Sequence, residues 1–170
     1  MEELTLKKFE EAAEKVKEAT LPTNLIFSEY FSNQTGNKVY LKPENMQFTG
    51  AYKVRGAYYK ISTLSEEERQ RGLITASAGN HAQGVAYAAK CYGCKAVIVM
   101  PTTTPLIKVN RTKSYGAEVV LYGDVYDEAC AHDWSWQKKM DIPLFIRSMI
   151  WQWQPVREPL QWRSLRNFRW

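Results

Sequence analysis

Three short runs rich in β-branched residues, Leu73–Ala76, Ala96–Met100 and Glu118–Tyr122, constrain this chain more than any other feature. Each has strand length, and segments of helical character at 80–92, 105–115 and 124–132 lie between and after them. Strands separated by helices of that length form successive βαβ units. Such units give a parallel sheet with right-handed crossovers and flanking helices. The expected fold class is therefore α/β. Gly93 and Gly116 stand where a glycine just past a helix end is expected. Upstream, Leu4–Ala19 repeats apolar residues at helical spacing, and Lys38–Lys42 is extended and ends at Pro43. Ala51–Ser62 reads as a helix entered through Thr49 and Gly50.

Open α/β sheets bind ligands beyond the carboxyl ends of their strands. The loop after the first of the three runs is Ser77-Ala78-Gly79-Asn80-His81, and a helix follows it. Small side chains there let backbone N–H groups approach an anion, and the helix dipole favours a carboxylate or phosphate. The same spacing serves a plain turn, with Gly79 at the bend and Ser77 or Asn80 capping the helix. Neither G-x-G-x-x-G nor a Walker A pattern occurs, so no nucleotide site is expected.

Lys53, in T-G-A-Y-K-V-R-G-A, lies close to a helix start. A lysine on a helix is ordinarily a solvated face. Near an N-terminus, however, the dipole disfavours the ammonium form and helps a lysine act as a free amine. Arg55 and Gly56 add little taken separately. Cys91 and Cys94 form a C-x-x-C pattern, but zinc needs a second ligand pair and only Cys130, His81 and His132 remain. A redox pair should open a helix, whereas this one straddles a helix end. No metal site is expected, His81 reads as a helix-start residue, and Glu66-Glu67-Glu68 reads as a solvated first turn.

Composition excludes several classes. The chain has 170 residues, 24% charged and 45% hydrophobic, with mean hydropathy −0.45 and no apolar run long enough to span a bilayer. Its first twenty residues lack an apolar leader core, and three cysteines fit a reduced, cytoplasmic protein. The net charge of +5 invites a nucleic-acid or membrane partner. That charge is not spread evenly. Residues 133–170 hold seven Lys/Arg against three Asp/Glu and all six tryptophans, whereas all nine glycines precede His132. The aromatic, basic stretch lacks helical periodicity, so neither a nucleic acid nor a membrane is expected as a partner.

Taken together, four segments carry a resemblance. They are L-K-P-E-N-M-Q-F-T-G-A-Y-K-V-R-G-A, T-A-S-A-G-N-H-A-Q-G-V-A, V-M-P-T-T-T-P-L-I-K and Y-G-A-E-V-V-L-Y-G. In this order they resemble the N-terminal third of the threonine dehydratase (threonine ammonia-lyase) family, over residues 1–132. The resemblance implies the tryptophan-synthase-β-like fold (fold type II), here its small domain plus an N-terminal segment, with pyridoxal 5′-phosphate as cofactor. It implies that Lys53 holds the cofactor as a Schiff base and moves the substrate's α-proton. It implies that Asn80 hydrogen-bonds the ring oxygen, and that Ser77, Ala78, Gly79, Asn80 and His81 bind the substrate carboxylate. The implied reaction is β-elimination of water from L-threonine, followed by hydrolysis of the resulting enamine to 2-oxobutanoate and ammonia, in a homo-oligomer. L-Serine is the alternative substrate, for a serine dehydratase or racemase of the same fold. A non-catalytic binding module is the other alternative.

Residues 133–170 depart from that family, which continues with a glycine-rich loop for the cofactor phosphate. Reading codons for Asp133–Trp170 from the third base of the first one can give L-E-L-A-E-E-N-G-Y-T-F-I-H-P-F-D-D-L-A-V-A-T-G-Q-G-T. That string restores glycines and resembles the dehydratase continuation. One nucleotide lost at codon 133 would account for the tryptophans, the charge and the missing glycines together. The expected organisation is thus an N-terminal dehydratase part, 1–132, and an out-of-frame tail, 133–170, in a truncated and inactive chain.

Overall fold

The computed structural model describes residues 5–129 and 131. The expectations for 133–170 fall outside them. Thr5 caps α1 (Leu6–Lys15), its hydroxyl accepting from the Lys8 N–H at 3.4 Å. The single helix expected to reach Ala19 instead tightens into a 3-10 turn at Val16–Ala19. Thr20 is extended and donates its hydroxyl back to the Val16 carbonyl at 2.7 Å, which closes the turn. Next come β1 (Ile26–Phe27), α2 (Glu29–Thr35) and β2 (Tyr40–Leu41). β1 and β2 pair antiparallel, Ile26 with Leu41 and Phe27 with Tyr40. The extended stretch expected at Lys38–Lys42 thus shrinks to two paired residues. Two-residue strands carry no periodicity, so β1 had no sequence signal.

A 3-10 turn at Glu44–Met46 leads to α3 (Lys53–Ser62), which starts two residues later than the expected Ala51. The delay has a backbone cause. Gly50 sits at φ +71°, a conformation that L side chains rarely adopt, and it turns the chain before Tyr52 caps the helix. α4 (Glu66–Arg71) follows. Its three glutamates fill the first turn, and Ser65 and Glu68 bond reciprocally across its start.

The remaining elements alternate as expected: β3 (Leu73–Ala76), α5 (Asn80–Cys91), β4 (Ala96–Met100), α6 (Leu106–Ser114) and β5 (Glu118–Leu121). Residues 126–129 and 131 are helical beyond them. The three strands form one parallel sheet in the order β3-β4-β5, with Leu73 opposite Ala96 and Val97 opposite Glu118. β5 ends one residue before Tyr122, whose N–H still donates to the Met100 carbonyl at 2.9 Å. All four β3 residues are buried, as a strand covered on both faces requires. On one face Leu73, Ile98 and Met100 pack with Ala57, Ile61, Val85 and Ala89 of the helices. On the other, Ile74, Ala76 and Val99 meet Ala129.

α5 packs tightly on the start of α3 at Gly84. A Cβ there would lie 3.2 Å from the carbonyl carbon and oxygen of Lys53 and from the Val54 nitrogen. Those are backbone atoms and cannot swing aside. Gly84→Ala should gain about 1 kcal/mol in helix propensity but lose roughly 1–3 kcal/mol to overpacking. The expected result is a net loss of up to about 2 kcal/mol, read as a lower urea midpoint at unchanged slope. A midpoint equal to or above wild type would show that the helices separate freely.

Candidate active site

Three polypeptide segments converge at the carboxyl edge of the sheet. The first is Ser77–His81, which directly follows β3. Its geometry corrects the capping expectation, because Gly79 occupies the cap position of α5 with no side-chain bond, and Asn80 is the first helical residue. Ser77 does the capping from two residues upstream. Its hydroxyl oxygen accepts from the Gly79 N–H at 3.4 Å and the Ala82 N–H at 3.2 Å. Asn80 is left with its side-chain amide and backbone N–H unbonded among the described residues. Ala78 completes the turn. His81 is buried in the first turn, its Nε2 3.5 Å from the Thr75 hydroxyl, which agrees with a helix-start residue held in the fold.

The second segment begins α3. Lys53 is half-buried, and its amine makes no hydrogen bond or ion pair among the described residues. Its backbone rests on Gly84, one turn along α5 from Asn80 on the same helical face. Lys53 and the Asn80 loop, singled out separately in the sequence, therefore share one corner of the fold.

The third segment is α6. The Nζ of Lys108 lies 3.7 Å from the point that a Cβ on Gly79 would occupy. This lysine was quoted in the sequence only as part of a longer string, since nothing in its spacing links it to Gly79.

The loop that delivers Lys53 is braced by residues the sequence did not single out as functional. Gln47 holds Leu21 by both ends of its amide, donating to the carbonyl at 3.0 Å and accepting from the N–H at 2.9 Å. The Phe48 carbonyl accepts from Arg111 at 3.2 Å and from the Tyr115 hydroxyl at 2.9 Å, while its ring stacks on Tyr87. Beneath them, Arg55 donates through Nε and Nη2 to the two Glu44 oxygens, both at 2.9 Å, and through Nη1 to Thr20 at 3.3 Å. Their side chains are only 3% and 11% exposed. Burial pushes the Glu44 carboxyl up, but hydrogen bonds from Arg55 and Thr23, with the Arg55 charge, outweigh it and hold the carboxyl below its ordinary value. Arg55 is thus more than a neighbour of Lys53, contrary to its reading from sequence.

The C-x-x-C pair has no comparable organisation. Cys91 is exposed and Cys94 half-buried, and desolvation raises both thiols above their ordinary value. That opposes thiolate chemistry. Among the described residues, no group of three or more His, Cys, Asp or Glu could hold a metal ion. Among them, too, no helix is long and apolar enough to cross a membrane.

An unpaired amine, an unpaired amide and a helix start with an unspent N–H suit an aldehyde-bearing, anionic cofactor better than a metal or a nucleotide. Comparison with known proteins agrees. L-Threonine ammonia-lyase of Thermotoga maritima is 52% identical over 126 residues, which are 74% of this chain and 31% of that protein. The chain thus spans about a third of that relative's length. Among solved structures, the processed form of threonine deaminase isoform 2 from Solanum lycopersicum aligns with TM-score 0.83 and 35% identity. That alignment covers 97% of this chain and 50% of the other. Maize serine racemase aligns with TM-score 0.88 and 27% identity over 95% of this chain and 49% of its own. The α/β fold with its parallel sheet is accordingly that of fold type II pyridoxal-phosphate enzymes. The profile of the family described as "Pyridoxal-phosphate dependent enzyme" matches residues 16–139, and with that match spanning most of its length, this chain belongs to the pyridoxal-phosphate dependent enzyme family.

Proposed function

We propose that this chain carries the lysine-bearing part of an L-threonine ammonia-lyase, and that residues 133–170 are an out-of-frame tail that leaves the chain as written inactive. The observation that carries the proposal is that Lys53 starts α3 with its backbone packed on Gly84, one helical turn from Asn80, and that neither the Lys53 amine nor the Asn80 amide has a partner among the described residues. Pyridoxal phosphate, when bound, supplies an electron sink for charge developing beside the substrate carboxylate. The residues of this chain do the rest. Lys53 Nζ would hold the cofactor aldehyde and, once the substrate amine has displaced it, would move the α-proton, while the Asn80 amide would donate to the ring oxygen. The 77–81 loop takes the substrate carboxylate. L-Threonine would lose water by β-elimination, and the released enamine would take water back on hydrolysis to 2-oxobutanoate and ammonia.

Two further observations support this reading. The 52% identity is to a threonine enzyme, and the family match stops at residue 139, close after the change in composition at 133. A serine-directed enzyme is the second reading, favoured by the close superposition on maize serine racemase. Assembly into a homo-oligomer in the reducing cytoplasm belongs to the same proposal for the in-frame protein.

The direct test is to mix the purified 170-residue chain with pyridoxal phosphate, reduce with borohydride and map the labelled peptide. Lys53 should carry the label, and Lys53→Ala should lose it. Label spread over surface lysines and unchanged in Lys53→Ala would overturn the assignment.

A further inference from the structure

Lys108 stands apart from the other lysines near the sheet edge. It is half-buried on α6, with no hydrogen-bond or ion-pair partner among the described residues. Its Nζ faces the one residue of the 77–81 loop that has no side chain. Gly79 adopts φ −152° and ψ −139°, off the regular extended region, and carries no Cβ on the side that faces the lysine. Its lack of a Cβ therefore leaves a gap between an ammonium group and the start of a 12-residue helix with an unspent N–H at Asn80. Thr104, two residues before α6 in the loop after β4, adds a buried hydroxyl, 7% exposed and unbonded among the described residues. β3 and β4 are parallel neighbours, so their following loops lie at the same edge. An ammonium and a helix N-terminus both favour a small anion over a cation, and a spare hydroxyl can donate to one.

We propose that Lys108 is the cationic arm of the carboxylate site. Its ammonium closes over Gly79 and shares the substrate's α-carboxylate with the N–H donors of the loop. This rests on the ammonia-lyase reading and deepens it, since the site then demands a free carboxylate. Esters and amines of the same shape are rejected because they leave the ammonium unpaired. Gly79 belongs to the same device, as the residue that leaves room for the anion.

The test uses the isotopically labelled 170-residue chain and follows the Gly79 and Asn80 amide signals on addition of L-threonine, its methyl ester or inorganic phosphate. L-Threonine should shift both signals, and the ester should bind about tenfold or more weakly, as expected for losing a charge-assisted hydrogen bond. Lys108→Met should weaken L-threonine binding by a similar factor of about ten while leaving the ester unchanged, and Lys108→Arg should restore most of it. Gly79→Ala, which places a methyl group 3.7 Å from the Lys108 Nζ, should also weaken L-threonine and leave signals remote from the loop in place.

Equal L-threonine binding by wild type and Lys108→Met overturns the proposal, as does absence of L-threonine binding to the wild-type chain. Tighter, Lys108-dependent binding of inorganic phosphate overturns it in favour of a phosphate role. The borohydride map separates this failure from failure of the lyase reading. Lys53 labelled with no Lys108 effect removes only Lys108. A Lys108 effect with Lys53 unlabelled removes the lyase and keeps the carboxylate site.

Discussion

Restoring one nucleotide at codon 133 should raise threonine deamination by about five orders of magnitude or more over the chain as written. The figure follows from what orientation contributes, roughly 7–11 kcal/mol of barrier lowering in a well-organised site. A pyridoxal-phosphate site has to hold an aldehyde, a ring and a phosphate. In the proposed site Lys53 and Asn80 supply the first two, and both groups are without partners among the described residues. The third calls for several N–H donors aimed at a dianion, for which a glycine-containing loop at a helix start is the usual device. Residues 133–170 as written contain no glycine. The alternate frame supplies A-T-G-Q-G-T. The measurement is 2-oxobutanoate released from L-threonine by the two proteins, each with added cofactor, alongside Lys53→Ala in the restored frame. Comparable turnover by the original and restored proteins would refute both the frame shift and the need for the missing donors. High turnover by the restored Lys53→Ala protein would refute the role of Lys53.

How much of this was legible in the sequence depends on the range of the interactions involved. The sheet was, because β-branched runs alternate with helical segments and each signal is local to its own element. All three strands appear within a residue of their expected bounds, parallel and in sequence order. The turn from β3 into α5 was legible for the same reason, since small residues at a strand end and a following helix are consecutive in the chain. The braces around Lys53 were not. Phe48 is held by side chains 63 and 67 residues away, and Gln47 grips a backbone 26 residues back. Arg55 and Glu44 are 11 residues apart, a spacing that no regular helix or strand brings together. Only the 3-10 turn at Glu44–Met46 and the bend at Gly50 do so. Capping failed for a related reason. Ser77 and Asn80 both suit a cap by type, yet the chain uses Ser77 from outside the cap position, and the Asn80 side chain makes no bond among the described residues.

The Glu44–Arg55 pair yields the largest expected effect on stability. Two charges with side chains only 11% and 3% exposed are costly to bury, and each is tolerated because the other is present. Glu44→Ala removes the acceptor for two guanidinium bonds and leaves the Arg55 side chain with only Thr20 as a partner among the described residues. It also strips the Thr23 hydroxyl of its bond to Glu44 at 2.5 Å. The expected loss is about 3–5 kcal/mol, a large part of the stability of an ordinary domain. Glu44→Ala combined with Arg55→Met should lose clearly less than the sum of the two single changes, because the stranded charge is gone. A single substitution costing under about 1 kcal/mol would place the pair among surface ion pairs. The pH dependence supplies an independent check. Because the folded carboxyl of Glu44 is held below its ordinary 4.5, its contribution is fully present above that value. It begins to fall as the pH drops below 4.5 and is lost once the pH passes below the lowered folded value. Wild type should therefore lose stability through this acid window more steeply than Glu44→Gln, which has no proton to take up there. The same brace spans the two ends of the loop that presents Lys53, so its acid release should also expose residues 47–52 to faster amide exchange before the sheet opens. Simultaneous exchange of the loop and of the β3 amides would show that the brace supports the whole fold rather than the lysine alone.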